Sequence, residues 1–223
     1  MGKIRKSAQY LAAGMLLVAL SVIPLTAIAD TGTFGSFIGI DTGAGNAWYG
    51  GTQPGPNQLW EFDGSDLGDF TAGDALVISG GEILTWKNNF DDVTGTALYY
   101  SVDAAGTTPS SFNSIGVNWS SNSPFNDAGG NGFSGAGDQK WANITSTPNV
   151  LDGLGVGTYS LSVYFEAYTN LGNRTDNNGG SNYVAEFSVT NNPGPAVPEP
   201  AAFMLLCAVL LPLAQMRIRN RVC

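Results

Sequence analysis

The run Thr158-Tyr159-Ser160-Leu161-Ser162-Val163-Tyr164-Phe165-Glu166-Ala167-Tyr168 decides the fold. Tyr159, Leu161, Val163, Phe165 and Ala167 fall on one face; Ser160, Ser162, Tyr164, Glu166 and Tyr168 fall on the other. A period of two with one polar face specifies a half-buried antiparallel strand. Residues 182–190 repeat the pattern, with Tyr183, Ala185, Phe187 and Val189 turned inward. The Asn- and Gly-rich stretch between the two, residues 170–181, reads as the loop of a hairpin.

Working toward the N-terminus, short apolar or alternating runs predict strands at 75–79, 82–87, 97–103, 114–119 and 140–144. In the third of these Leu98, Tyr100 and Val102 face the core. Strands of this length, separated by Gly, Asn, Asp and Ser, predict an all-β domain over residues 75–190. Its expected form is an antiparallel two-sheet β-sandwich of immunoglobulin-like kind. Burial of Trp86, Tyr100, Tyr159, Phe165 and Phe187 would contribute about 2 kcal/mol each before entropy. Residues 122–137 are Gly-rich and belong to a loop at the rim. Residues 30–74 read as an N-terminal strand, carrying Phe34, Ile38 and Ile40, and a long ordered loop. In that loop Trp48, Tyr49 and Trp60 stand among Gly, Pro and Asn without periodicity.

Composition removes whole classes of chemistry. The 223 residues include no His and 2 Cys, so a Ser-His-Asp triad, a His-ligated metal and a disulfide framework are all excluded. All 18 acids lie between Asp30 and Glu199, where the only bases are Lys87, Lys140 and Arg174. That segment therefore carries 3 − 18 = −15, against −9 for the whole chain. Such a domain repels phosphate backbones, and no nucleic-acid partner is expected.

The two ends are membrane addresses. Lys3, Arg5 and Lys6 precede an apolar run and then Ala27-Ile28-Ala29. A basic region, a short apolar region and a small-x-small site describe a secretory signal peptide, residues 1–29, cleaved before Asp30. Export of this kind implies a translocon and a signal peptidase as partners. At the other end, residues 191–200 form a Pro- and Asn-rich linker ending in Pro198-Glu199-Pro200. An apolar segment, 201–216, follows as a transmembrane helix, and Arg217, Arg219 and Arg221 mark a cytoplasmic tail, 217–223. Its purely apolar part, 14 residues from Ala201 to Ala214, spans roughly 21 Å, short of a hydrocarbon core of about 30 Å. Cys207 and Cys223 lie in and after this helix, outside the exported domain.

Pro198-Glu199-Pro200, a short hydrophobic helix and an Arg-rich end, in that order, resemble the PEP-CTERM sorting signal of Gram-negative bacteria. The resemblance implies recognition by an exosortase, a membrane protease, and removal of the tail near the Pro-Glu-Pro motif. It also implies a precursor held transiently in the inner membrane with its domain outside, then a cell-surface or extracellular protein of a polysaccharide matrix (biofilm or exopolysaccharide).

Sugars are bound by flat aromatic faces together with amide or carboxylate side chains that meet hydroxyls pairwise. Asp176-Asn177-Asn178-Gly179-Gly180-Ser181-Asn182-Tyr183 supplies the polar groups in one loop. The same residues also suit turns that merely close the last hairpin. The stretch is similar to a motif of starch- and glycogen-binding carbohydrate-binding modules, which places Asp176, Asn177, Asn178, Asn182 and Tyr183 at or near a glucan. Where those modules commonly carry a stacking tryptophan just before the motif, this chain has Thr175. Trp86, Trp119 or Trp141 is then the expected platform. A matrix protein of purely structural or adhesive character, with no defined sugar site, is the alternative.

No pair among Glu61, Glu82, Glu166 and Glu186 carries a glycosidase signature, so an enzyme is not expected, and glycoside hydrolysis stays a remote alternative. Asp63, Asp66 and Asp69 offer hard oxygens for calcium without EF-hand spacing, and an acidic turn explains them equally. Asn118, Asn143 and Asn173 begin glycosylation sequons, relevant only in a host with that pathway.

Overall fold

The computed structural model describes residues 31–191 except 54–58, 72, 89–90 and 145. The expected signal peptide, the Pro-Glu-Pro motif, the expected transmembrane helix and the arginine tail lie outside the described residues. No helix among the described residues is long and apolar enough to cross a membrane.

Among the described residues there are thirteen strands: β1 (Thr31–Asp41), β2 (Asn46–Thr52), β3 (Asp66–Phe70), β4 (Val77–Lys87), β5 (Val93–Ala104), β6 (Asn113–Val117), β7 (Trp119–Asn122), β8 (Phe125–Asn126), β9 (Gly132–Phe133), β10 (Asp138–Ala142), β11 (Gly157–Thr169), β12 (Arg174–Asp176) and β13 (Tyr183–Val189). One sheet has the order β2-β1-β4-β10-β7, and the second β3-β13-β11-β5-β6 with β12 also on β11. Ile38, Ile40, Ile78, Ile83 and Trp141 of the first sheet share one apolar cluster with Leu98, Leu161, Val163, Phe165, Ala185 and Phe187 of the second. Two sheets on one core is the arrangement of a β-sandwich. Pairing is antiparallel except between β13 and β3, which run parallel, so the second sheet is mixed.

β11 follows the alternation of its sequence in its second half. Leu161, Val163, Phe165 and Ala167 are fully buried, while Tyr164, Glu166 and Tyr168 remain partly exposed; Ser160 and Ser162, expected on the outward face, are buried as well. Each large apolar side chain in that row contributes about 1.5–3 kcal/mol before entropy.

The strand expected at 114–119 divides between β6 of the second sheet and β7 of the first. Three further regions depart from the expectation. Residues 30–74 are not one strand and a loop: β1 and β2 extend the first sheet, and β3 adds an edge to the second. The two strands expected at 75–79 and 82–87 are one continuous β4 through Gly80 and Gly81. Glycine weakens a strand because it leaves space unfilled, but other elements fill it here. A Cβ on Gly80 would meet the Trp48 ring at 2.4 Å, and one on Gly81 would meet Ile144 at 3.0 Å. Third, the rim loop holds the β8–β9 hairpin, in which Phe133 packs on Phe34 and Phe125 with ring centroids 5.3 and 5.7 Å apart.

Candidate binding sites

The loop 176–183 does not close a hairpin. β12 and β13 both pair with β11, Asp176 opposite Phe165 and Tyr183 opposite Val163. The hairpin turn is therefore made by residues 170–173, and residues 177–182 are looped out of the strand that follows it. Asn178 (φ 52°) and Asn182 (φ 61°) adopt left-handed backbone, which Asn tolerates better than most side-chain-bearing residues. Asn177 Oδ1 accepts from Gly180 N at 3.1 Å, and Asn178 Nδ2 donates to Asp63 Oδ2 (2.9 Å) and to the Asn182 carbonyl (3.1 Å). The amide density of this stretch thus serves its own conformation.

Its carboxylate is interior. Asp176 is 6% exposed and Tyr183 is 1% exposed. The Ser36 hydroxyl, from the opposite sheet, and the Tyr183 hydroxyl both donate to the Asp176 carboxylate. Burial pushes the Asp176 carboxyl above its ordinary 3.8, against the opposing pull of those two hydroxyls. Asp176 is a tie between the sheets, and neither it nor Tyr183 presents a surface to a glycan.

The expected platforms do not gather at the loop either. Trp86, Trp119 and Trp141 belong to β4, β7 and β10 of the first sheet, whereas the loop leaves the second. Trp141 is buried and donates from Nε1 to Thr85 Oγ1 at 3.2 Å. Trp86 is half-buried beside Gly32, where a Cβ would meet its Nε1 at 2.5 Å. Trp119 is exposed at the edge of its sheet. The aromatic tied to the loop is one the sequence left unassigned: exposed Trp60, on the turn whose Asp63 takes both Asn178 Nδ2 and the Val184 N–H (2.9 Å).

Those bonds engage both oxygens of Asp63, and Asp66 Oδ1 accepts from Gly68 N at 2.8 Å. Asp66 and Asp69 lie in β3, and among the described residues no group of three His, Cys, Asp or Glu side chains is placed to hold a metal ion.

A second constellation lies on the outer face of the first sheet, and its residues were not among those singled out for sugar binding. Trp48 of β2 pairs with Gly39 of β1, which pairs in turn with Gly80 of β4. With no Cβ on Gly80, the six-membered part of the Trp48 indole lies on bare main chain, yet Trp48 stays 44% exposed. Beside it a cleft of about 490 Å³ is lined by Trp48, Ser79, Glu82, Ser120, Lys140 and Asn143, a size ordinary for small-ligand sites. Glu82, 3% exposed, and Lys140 form an ion pair at 2.7 Å. Glu82 Oε1 also accepts from Ala128 N (3.0 Å), and Lys140 Nζ donates to the Asn126 carbonyl (2.7 Å), which fixes the β8–β9 hairpin as the cleft wall. Burial raises the Glu82 carboxyl above its ordinary 4.5, although Lys140 and the Ala128 N–H pull it down. Asn143 at the rim holds φ 67°. The sequence signal nearest this site is the glycine doublet Gly80-Gly81 between two predicted strands.

Fold and site together define an all-β domain with solvent-facing indoles and one polar, tryptophan-walled cleft. Neither a protein-family model nor a curated protein matches the chain.

Proposed function

We propose that this chain is an exported, exosortase-processed protein of the bacterial surface or extracellular matrix, non-enzymatic, whose immunoglobulin-like sandwich binds polysaccharide. The terminal signal helix and the transmembrane helix after Pro-Glu-Pro are the addressing parts of that reading. The observation that carries the binding part is exposure of indole: Trp48, Trp60 and Trp119 are 44, 57 and 54% exposed. An indole is among the costliest side chains to leave in water, and flat aromatic faces are what sugar C–H edges stack on. The rival reading, a structural or adhesive matrix protein without a sugar site, draws support from loop 176–183, whose polar groups are engaged internally.

Two measurements test the proposal. Mass spectrometry of the protein recovered outside the cells is expected to show no peptide downstream of Pro200; intact tails there contradict exosortase processing. Affinity electrophoresis of that protein through gels containing host exopolysaccharide is expected to retard it. Unretarded migration favours the structural reading.

A further inference from the structure

We infer that the Trp48 cleft, rather than the Asp176–Tyr183 loop, is the glycan site, and that it takes a neutral chain. This deepens the proposed function and rests on it. Three independent features converge on the cleft.

The first is a platform with a fixed seat. Gly39 and Gly80 leave a side-chain-free row across two strands, and the Trp48 ring lies over Gly80 with nearly half the residue open to solvent. A free surface tryptophan would gain nothing from two bare neighbours; one that must present a face gains a defined orientation.

The second is the polar lining. Glu82 is 3% exposed and its two oxygens are taken by Lys140 and the Ala128 N–H, so the pair ties the cleft floor to the β8–β9 hairpin. Ser79, Ser120 and Asn143 line the opening with hydroxyl and amide groups that both donate and accept, as a vicinal diol requires. The third is charge. The pair is neutral as a unit, and the segment around it carries −15, so a uronate or sulfate chain meets repulsion that a neutral hexose chain does not.

The test uses the full chain purified in detergent and, as probes, starch-type, cellulose-type and laminarin-type glucan oligosaccharides, with oligogalacturonate as the charged comparison. At least one neutral probe is expected to bind, with oligogalacturonate weaker. Trp48→Ala is expected to lower that affinity at least about tenfold, Trp48→Phe less, and Leu171→Ala, an exposed residue outside the cleft, not at all. Thermal unfolding of each variant separates lost binding from lost folding. If no probe binds, the glycan reading and the cleft fall together. If a probe binds and Trp48→Ala leaves its affinity unchanged, the cleft is overturned while the glycan reading stands. Preference for oligogalacturonate overturns the neutral-chain assignment alone.

Discussion

Asp176 and Glu82 are both buried carboxylates on strand residues, and the difference between them separates framework from site. Asp176 receives hydroxyls from both sheets and is enclosed between them. Glu82 is equally inaccessible but lies at the floor of an open cleft, paired with a lysine and overlooked by an exposed indole. Polar density in a sequence therefore does not locate a site. An interior tie and the floor of a cleft share composition and differ in what stands over them.

The largest effect expected from this contrast is on stability. Asp176→Ala removes the buried carboxylate that accepts from the Ser36 and Tyr183 hydroxyls and opens a void between the sheets, and should cost about 3 kcal/mol in urea unfolding. A loss below about 1 kcal/mol would break the framework assignment. Asn178→Ala removes the bonds to Asp63 and to the Asn182 carbonyl and is expected to cost about 1 kcal/mol, with glycan affinity unchanged. A loss of affinity without loss of stability would return the loop to candidacy.

Acidity gives a subtler readout. Asp176, Glu82 and Asp138 are all held above their ordinary values of 3.8, 4.5 and 3.8, burial being the leading cause in each. A carboxyl raised in the fold binds its proton more tightly there, so its effect on stability declines as pH rises from about 4 through the raised value and is flat above it. The unfolding midpoint is thus expected to hold or rise between pH 7 and about 5, and Asp176→Asn to flatten that trend. A midpoint that falls on mild acidification contradicts it. Asp91, where burial is outweighed by hydrogen bonds from Thr31 and Thr169, acts in the opposite sense only below its ordinary 3.8. The smallest effect belongs to Trp60→Ala, whose exposed ring should change stability by less than about 0.5 kcal/mol.

Much of the second sheet was legible in the chain. β11, β13 and β5 bury one face against the core, and that burial writes period two into their residues. The rest was not, for identifiable reasons. β3 is five residues, Asp-Leu-Gly-Asp-Phe, with Gly68 at φ 105°, and its partner among the described residues, β13, is distant in sequence. The Gly80-Gly81 doublet reads as a break because the groups that fill its space, Trp48, Ile144 and Phe165, come from three other segments. The loop after Asp176 reads as a hairpin closure because nothing local tells that Phe165 and Val163 keep pairing on either side of it. The cleft has the same origin: Trp48, Gly80, Glu82 and Lys140 meet only through strand order β2-β1-β4-β10.

Two-dimensional NMR of the indole N–H resonances provides the most direct measurement, since the five tryptophans report separately. On titration with the tightest-binding neutral glucan oligosaccharide, the Trp48 signal is expected to move in a saturable way while those of Trp60 and Trp141 stay in place. Movement of Trp60 together with the side-chain amides of Asn177 and Asn182, with Trp48 unmoved, would place the sugar on the loop and contradict the account.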